Sequence, residues 1–473
     1  MSPRKKISII GGGISGLSAA FTLFRLIQEK GLPLDFEVLE SSKRLGGVIS
    51  TRREGGFLIE EGPDSFLSTK PAAIELCKEL GLDESLIPTR AGCRRTFVVK
   101  NGKLLPLPEG FIMLAPTRFL PFLKSPVLSW SGKLRVLMEL LIPPSPTSGD
   151  ESLGSFVRRR LGREVLERVV QPLASGIYTA DPDKLSLRAT MPQFLELERR
   201  YGGIIRGFLK ETTRGARTAS GARYSLIVSL KGGMSSLVDA ISSALPEGVV
   251  RQGFHVKSIR FDGSSWVITS ADGRKTVADG LIIAIPAHSA SRLLADVSST
   301  LSDELDSIEY SSTAIVNFAL RRSSVEHPTD GFGFVVPASE NIGLVACSFS
   351  SVKFENRTPS DADHILLRCF IGGASSEHML NATDSQLEEA AFCVIKNLLG
   401  IRSKPLFSIV TRHPCSMPQY RVGHINRVER IERLSSELPA FVLAGNAYRG
   451  VGIPDCIASG RKATEDLLRR MGF

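Results

Sequence analysis

Ile7-Ser8-Ile9-Ile10-Gly11-Gly12-Gly13-Ile14-Ser15-Gly16 runs straight into Leu17-Ser18-Ala19-Ala20-Phe21-Thr22-Leu23-Phe24. The first four residues are apolar and mostly β-branched, which reads as a strand buried on both faces of a parallel sheet. A G-x-G-x-x-G turn follows, and then a helical pattern. In this order the three glycines have separate physical tasks. Gly11 makes the tight turn, Gly13 lets backbone approach a pyrophosphate, and Gly16 lets helix and strand pack closely. Gly12, Ile14 and Ser15 complete a loop whose N–H groups open onto a helix N-terminus, where an anion is favoured. A second strand, Phe36-Glu37-Val38-Leu39-Glu40, ends in an acid 24 residues beyond Gly16. An acid there accepts hydrogen bonds from a ribose and repels a 2′-phosphate. The turn therefore predicts an α/β dinucleotide-binding unit.

The same logic recurs further along the chain. Gly232-Gly233-Met234 leads into an amphipathic helix at Ser235–Leu245, strands around His255–Ile259 and Trp266–Ser270, and a buried strand Leu281–Ile285 stopped by Pro286. Near the C-terminus Phe441-Val442-Leu443-Ala444-Gly445-Asn446 is followed by a glycine turn, Arg449-Gly450-Val451-Gly452, and a helix over Asp455–Arg470. Helical patches are expected at 131–142 and 151–170, strands at Ala314–Leu320, Gly333–Val336, Leu344–Phe349 and Leu366–Gly372, and a mobile surface loop at 202–230.

Composition narrows the class. The chain has 473 residues, 42% hydrophobic and 23% charged, with 43 glycines and 26 prolines. This is a globular profile and excludes a disordered or collagen-like chain. No uninterrupted apolar run is long enough to cross a membrane. The seven cysteines (77, 93, 347, 369, 393, 415 and 456) are scattered and odd in number, which suggests reduced thiols in a cytoplasmic protein rather than a disulfide framework. Neither C-x-x-C nor H-E-x-x-H occurs, so no metal site is expected. The net charge of +10 admits nucleic acid, an anionic membrane or an acidic small molecule as partner. Without a basic stripe interleaved with aromatics, nucleic acid is disfavoured.

Arg44-Leu45-Gly46-Gly47 lies just past Glu40 and is similar to the R-x-G-G element of the flavin amine oxidases, with Val48 where an arginine is common. Further motifs follow in order: Gly62-Pro63-Asp64-Ser65-Phe66, Pro116-Thr117-Arg118-Phe119, Pro172 to Tyr178, Gly331 to Pro337, Met417-Pro418-Gln419-Tyr420 and Gly450 to Cys456. Over nearly its whole length the chain resembles the protoporphyrinogen oxidase family, and most of all the soluble bacterial branch that includes coproporphyrinogen III oxidases. The resemblance implies a Rossmann-like FAD-binding domain of the p-hydroxybenzoate hydroxylase/amine oxidase type, assembled from 1–84, 226–290 and 406–473. It adds a helical, membrane-contacting insert over 85–225 and a sheet-based substrate domain over 291–405.

By the same resemblance FAD contacts fall at Gly11 to Gly16, at Glu40 and Ser41, along Arg44, Gly47 and Val48, and at Gly62, Pro63, Asp64 and Ser65. They continue at Val256 and at the last turn, Val451, Gly452 and Ile453. The substrate pocket carries over to Gly176, Val335, Ser348 and Phe370. Gly176 is the expected substrate-positioning residue, its carbonyl holding a pyrrole N–H where a side chain would block approach. Lys70, Arg95 and Arg94 are the candidates for facing propionates. The implied reaction is the six-electron, oxygen-dependent oxidation of coproporphyrinogen III or protoporphyrinogen IX to the porphyrin in haem biosynthesis, releasing hydrogen peroxide. The cofactor would carry the chemistry and the protein would supply position and electrostatics. A flavoprotein acting on amines or carotenoids is the alternative. The expected partners are the porphyrinogen and molecular oxygen, with a ferrochelatase or other haem-pathway enzyme and the inner face of the cell membrane as further candidates. The chain is expected to act as a monomer or homodimer.

Overall fold

In a computed structural model the described residues are 4–91, 95–108, 111–112, 115–116, 119–145, 149–213, 226–359, 363–373 and 376–473, with only the backbone described at 111–112, 115–116, 119–120 and 212–213. The apolar run near the N-terminus forms the centre of a five-stranded parallel sheet. Its order is Val250–Arg251, Leu34–Leu39, Lys5–Ile10, Gly280–Ile283 and Phe441–Leu443. Ile7 and Ile9 pack on one face with the helices Ile14–Lys30, Ser235–Ala244 and Ile453–Arg470. Ile10, Leu281 and Ile283 pack on the other with Trp266 and Ile268 of a three-stranded antiparallel sheet. The first and last helices cross closely because Gly460 has no side chain: a Cβ there would stand 2.2 Å from the Ser15 carbonyl oxygen. Thr464 Oγ1 donates to the Ala19 carbonyl at 3.0 Å in the same crossing. The two glycine turns, more than 400 residues apart in sequence, are thereby held side by side.

A seven-stranded sheet forms the second unit, in the order Phe407–Pro418, Tyr310–Arg321, His364–Gly372, Ala346–Phe349, Gly331–Val335, Arg95–Lys100 and Lys103–Pro106. Alternation sorts its side chains into two faces. Phe97, Phe334, Cys347, Cys369 and Val316 pack against the helix Asp384–Leu399. Val98, Val335, Ala346 and Phe370 share the opposite face, one row across four strands. Two expected boundaries are corrected here. Strands 95–106, assigned to the helical insert, and 407–418, assigned to the cofactor domain, both belong to this sheet. Such non-local pairing leaves no periodic trace in either segment.

The third unit is helical. Arg163–Val165, a π-helical turn at Leu166–Val170 and Gln171–Tyr178 follow one another without a break. The wide turn precedes Pro172, which has no N–H to donate. At the centre Arg160 and Glu139, both fully buried, form an ion pair, and Glu139 also accepts the Ile204 N–H at 2.8 Å. The expected surface loop at 202–230 is a second correction. It contains the helix Ile204–Thr213, with Ile204 and Ile205 fully buried, and the strand Ile227–Leu230. Residues 214–225 lie outside the described residues. The C-terminal helix begins at Ile453, two residues earlier than expected.

Candidate cofactor and substrate site

Gly11 has φ +110°, and a Cβ on it would stand 2.6 Å from the Ala284 carbonyl oxygen. A Cβ on Gly16 would stand 1.9 Å from the Gly11 carbonyl oxygen. Both glycines are required by the protein itself. Gly13 is different: a Cβ there would meet nothing within 4 Å. It lies against Gly46 in a parallel bridge, with Gly47 beside it, so a strip free of side chains runs along the N-terminus of the first helix. Glu40 closes the turn, its Oε2 accepting the Gly12 N–H at 2.6 Å and its Oε1 the Ser42 N–H at 2.7 Å. Beside it opens a cavity of about 350 Å³ lined by Gly11, Glu40, Ser41, Val256, Pro286 and Arg292. A bare glycine strip at a helix N-terminus suits a pyrophosphate, and an acid with an adjoining cavity suits an adenosine. The residues fit FAD.

The Arg44 side chain lies on its own loop, donating to the carbonyls of Leu45, Gly47 and Ile49. Val48 is 45% exposed, while its carbonyl fits against Gly62, where a Cβ would stand 1.7 Å away. Pro63 and Ser65 continue this turn, and the Ser65 hydroxyl donates to Asp64 at 2.7 Å. At the far end the Gly452 N–H donates to Asp455 Oδ2 at 3.3 Å, and Val451 and Ile453 flank it. In this chain Lys70 Nζ reaches that same Asp455 carboxylate at 2.7 Å, and Arg95 pairs with Asp330 at 2.7 Å. Lys70 and Arg95 thus each already have a carboxylate partner. Arg94 lies outside the described residues.

Val335 and Phe370 meet in one apolar cluster with Val98, Ala346, Leu107 and Leu173. Leu173 comes from the helix that carries Gly176, and a Cβ on Gly176 would meet nothing within 4 Å. Ser348 lies one row further along the same face, opposite Gly333 and Arg368, and donates to the Phe332 carbonyl at 3.3 Å.

Sequence reading missed the other largely buried charges gathered around Asp64. Asp64 lies between Lys353, 3.1 Å away, and Arg368, 3.8 Å away. Burial by itself would raise the Asp64 carboxyl, but the two cations and the Ser65 hydroxyl outweigh it and hold it well below the usual carboxylate range. Arg368 also donates to the Gly62 carbonyl, and its guanidinium lies over the Phe370 ring, 4.8 Å from the centroid. Nearby Glu60 is 4% exposed. Burial pushes its carboxyl up to about 7, against donation from Thr51 Oγ1 at 2.8 Å and the Met234 N–H at 2.9 Å. Arg357, 3.9 Å from Glu60, is itself buried. The available signal was Arg368, a charge in the otherwise apolar run Ile365 to Ile371. Lys353 and Arg357 lie in no motif.

A dinucleotide cradle built from both chain ends, set against an apolar sheet face, defines a flavoprotein oxidoreductase. The chain belongs to the flavin-containing amine oxidoreductase family, whose model matches residues 14–468. It is 36% identical over 467 residues to the coproporphyrinogen III oxidase of Bacillus subtilis, covering 98% of each chain. It is 32% identical over 474 residues to the coproporphyrinogen III oxidase of Staphylococcus aureus, covering 99% of this chain and 100% of that one. Among solved structures, a protein from Exiguobacterium sp. described as a protoporphyrinogen oxidase superposes with a TM-score of 0.87 at 30% identity, over 99% of each chain. FAD is the cofactor that this family and fold carry.

Proposed function

We propose that the protein is an FAD-dependent oxidase that converts a porphyrinogen to its porphyrin with oxygen as acceptor, and that coproporphyrinogen III is its substrate. The observation that carries this reading is the apolar face of Val98, Val335, Ala346 and Phe370, which meets Leu173 of the Gly176 helix and joins the Gly62–Ser65 turn through Arg368. A flat apolar face tied directly to the cofactor loop suits a macrocycle better than a small amine. The relatives named coproporphyrinogen III oxidase support the tetracarboxylate over the dicarboxylate. FAD would supply the two-electron chemistry when bound, with oxygen as the acceptor and hydrogen peroxide as the co-product of the overall reaction.

The chain's own residues bind, orient and exclude water. Phe370 and Val335 cover the ring faces, and the Gly176 carbonyl accepts a pyrrole N–H, with no side chain to keep the ring away. Lys70 and Arg95 face propionates, each sharing its cation between the substrate and the carboxylate it already holds. The porphyrin then passes to a ferrochelatase or other haem-pathway enzyme. A peripheral membrane contact is part of this reading. It is supported by Trp130, Leu134, Met138 and Leu141, apolar side chains 53–81% exposed at spacings of four, four and three residues on one side of the helical unit. No helix among the described residues is long and apolar enough to cross a membrane. The test is a direct comparison of porphyrin fluorescence growth with coproporphyrinogen III and protoporphyrinogen IX. Turnover of the first at tenfold or more the rate of the second is expected; the reverse order would overturn the substrate assignment. A colourless chain that takes up no FAD would overturn the whole reading.

A further inference from the structure

The segment Met417-Pro418-Gln419-Tyr420 has no part in the site as described, yet its last two side chains reach both halves of it. Tyr420 is 2% exposed, and its hydroxyl both accepts and donates: it takes the Gly450 N–H at 2.8 Å and gives its proton to the Asn446 carbonyl at 2.5 Å. One oxygen thus closes the turn that precedes Val451-Gly452-Ile453. The ring of Tyr420 stacks on His424, with centroids 4.0 Å apart and planes 14° apart. The His424 Nε2 pairs with the Tyr448 carbonyl at 2.9 Å, inside the same turn. Gln419 faces the other way. Its Nε2 donates to the Tyr178 carbonyl at 3.2 Å, at the end of the helix that bears Gly176, and to Ser311 Oγ at 2.9 Å on the seven-stranded sheet. The Tyr420 carbonyl accepts the Ser186 N–H at 2.7 Å, fixing the dipeptide to the helical unit as well.

We propose that Gln419-Tyr420 is a positioning joint: Tyr420 sets the flavin-side turn, Gln419 sets the substrate-side helix, and their adjacency in the chain fixes the distance between cofactor ring and substrate. The inference rests on the function proposed above and adds two positioning residues to it. Neither side chain touches the reacting atoms. The physical ground is that backbone polar groups withdrawn from water are held only while a partner is present, and here, in a half-buried turn, a single hydroxyl serves two of them.

The joint predicts a division of effects between two substitutions. Tyr420→Phe keeps the stack on His424 and removes the hydroxyl. The dissociation constant for FAD, measured by fluorescence titration of the apoprotein, rises about tenfold, and the visible circular dichroism of the bound flavin changes. Gln419→Leu leaves the FAD dissociation constant within twofold of the parent and lowers kcat about tenfold, with a smaller change in KM. Hydrogen exchange on the parent holoenzyme gives a readout that needs no variant: the Gly450 amide is expected to be protected. Tyr420→Phe with parental FAD affinity and dichroism, Gln419→Leu with parental kcat, or a freely exchanging Gly450 amide would each overturn the joint. A parent chain that takes up no FAD overturns the functional reading itself, an outcome distinct from all of these.

Discussion

Gly13 and Gly16 stand three residues apart and serve opposite needs. Gly16 is demanded by the protein, since any Cβ would press into the Gly11 carbonyl. Gly13 faces open space and is demanded only by a ligand. Gly16→Ala is therefore expected to lower the melting temperature of the apoprotein. Gly13→Ala is expected to leave that temperature within a degree or two and to weaken FAD binding at least tenfold. A titration giving parental affinity for Gly13→Ala would remove the glycine strip from the cofactor site. Glu60 offers a second prediction at this scale. Its folded-state pKa of about 7 lies above the ordinary 4.5, so between these values the folded chain binds more protons than the unfolded one. Stability from this group is present at low pH and is lost as pH rises from about 4.5 through 7, by roughly 3 kcal/mol in all. Asp64 has the opposite sign, its stabilisation being lost only as pH falls through its depressed pKa. Glu60→Gln keeps an acceptor for the Met234 N–H and should flatten the stability profile between pH 4.5 and 7 in chemical unfolding. An unchanged slope would mean that Glu60 is not the titrating group.

Close packing between elements carries the cofactor geometry over a distance. The helices Ile14–Lys30 and Ile453–Arg470 touch at Gly460, and each begins at one of the two glycine turns. Gly460→Val would force the helices apart, costing about 1–3 kcal/mol as an overpacked contact. Because both turns move with their helices, FAD retention through gel filtration should fall together with the melting temperature. Lower stability with full retention would show that the turns are held by other contacts. The charged network works between elements in the same way. Lys353 and Arg368 come from the second unit, Asp64 from a loop of the first, and removing either cation leaves a largely buried carboxylate less compensated.

Across the whole molecule, the helical unit presents Trp130, Leu134, Met138 and Leu141 outward, and Lys124, just before them in the chain, is exposed too. Co-flotation with vesicles containing anionic lipid is expected for the parent chain and should be lost in a Leu134→Glu, Met138→Glu double variant that retains its solution turnover. Equal flotation of the two proteins would exclude this stripe as the contact. What the sequence determined by itself was the cradle. The strand, the G-x-G-x-x-G turn, the helix and Glu40 are local and follow one another along the chain, although the close approach that requires Gly11 is to Ala284 of a remote segment. The C-terminal turn was legible for the same reason, and Val335, Ser348 and Phe370 were named only through a family resemblance. Tertiary structure alone decided how these pieces meet. Strands 95–106 and 407–418 join a sheet whose other strands lie far away in sequence, and Lys353 and Arg368 find Asp64 across about 300 residues. Sheet pairing and buried ion pairs depend on distances in space between residues remote in the chain, and periodicity records only what is close along it.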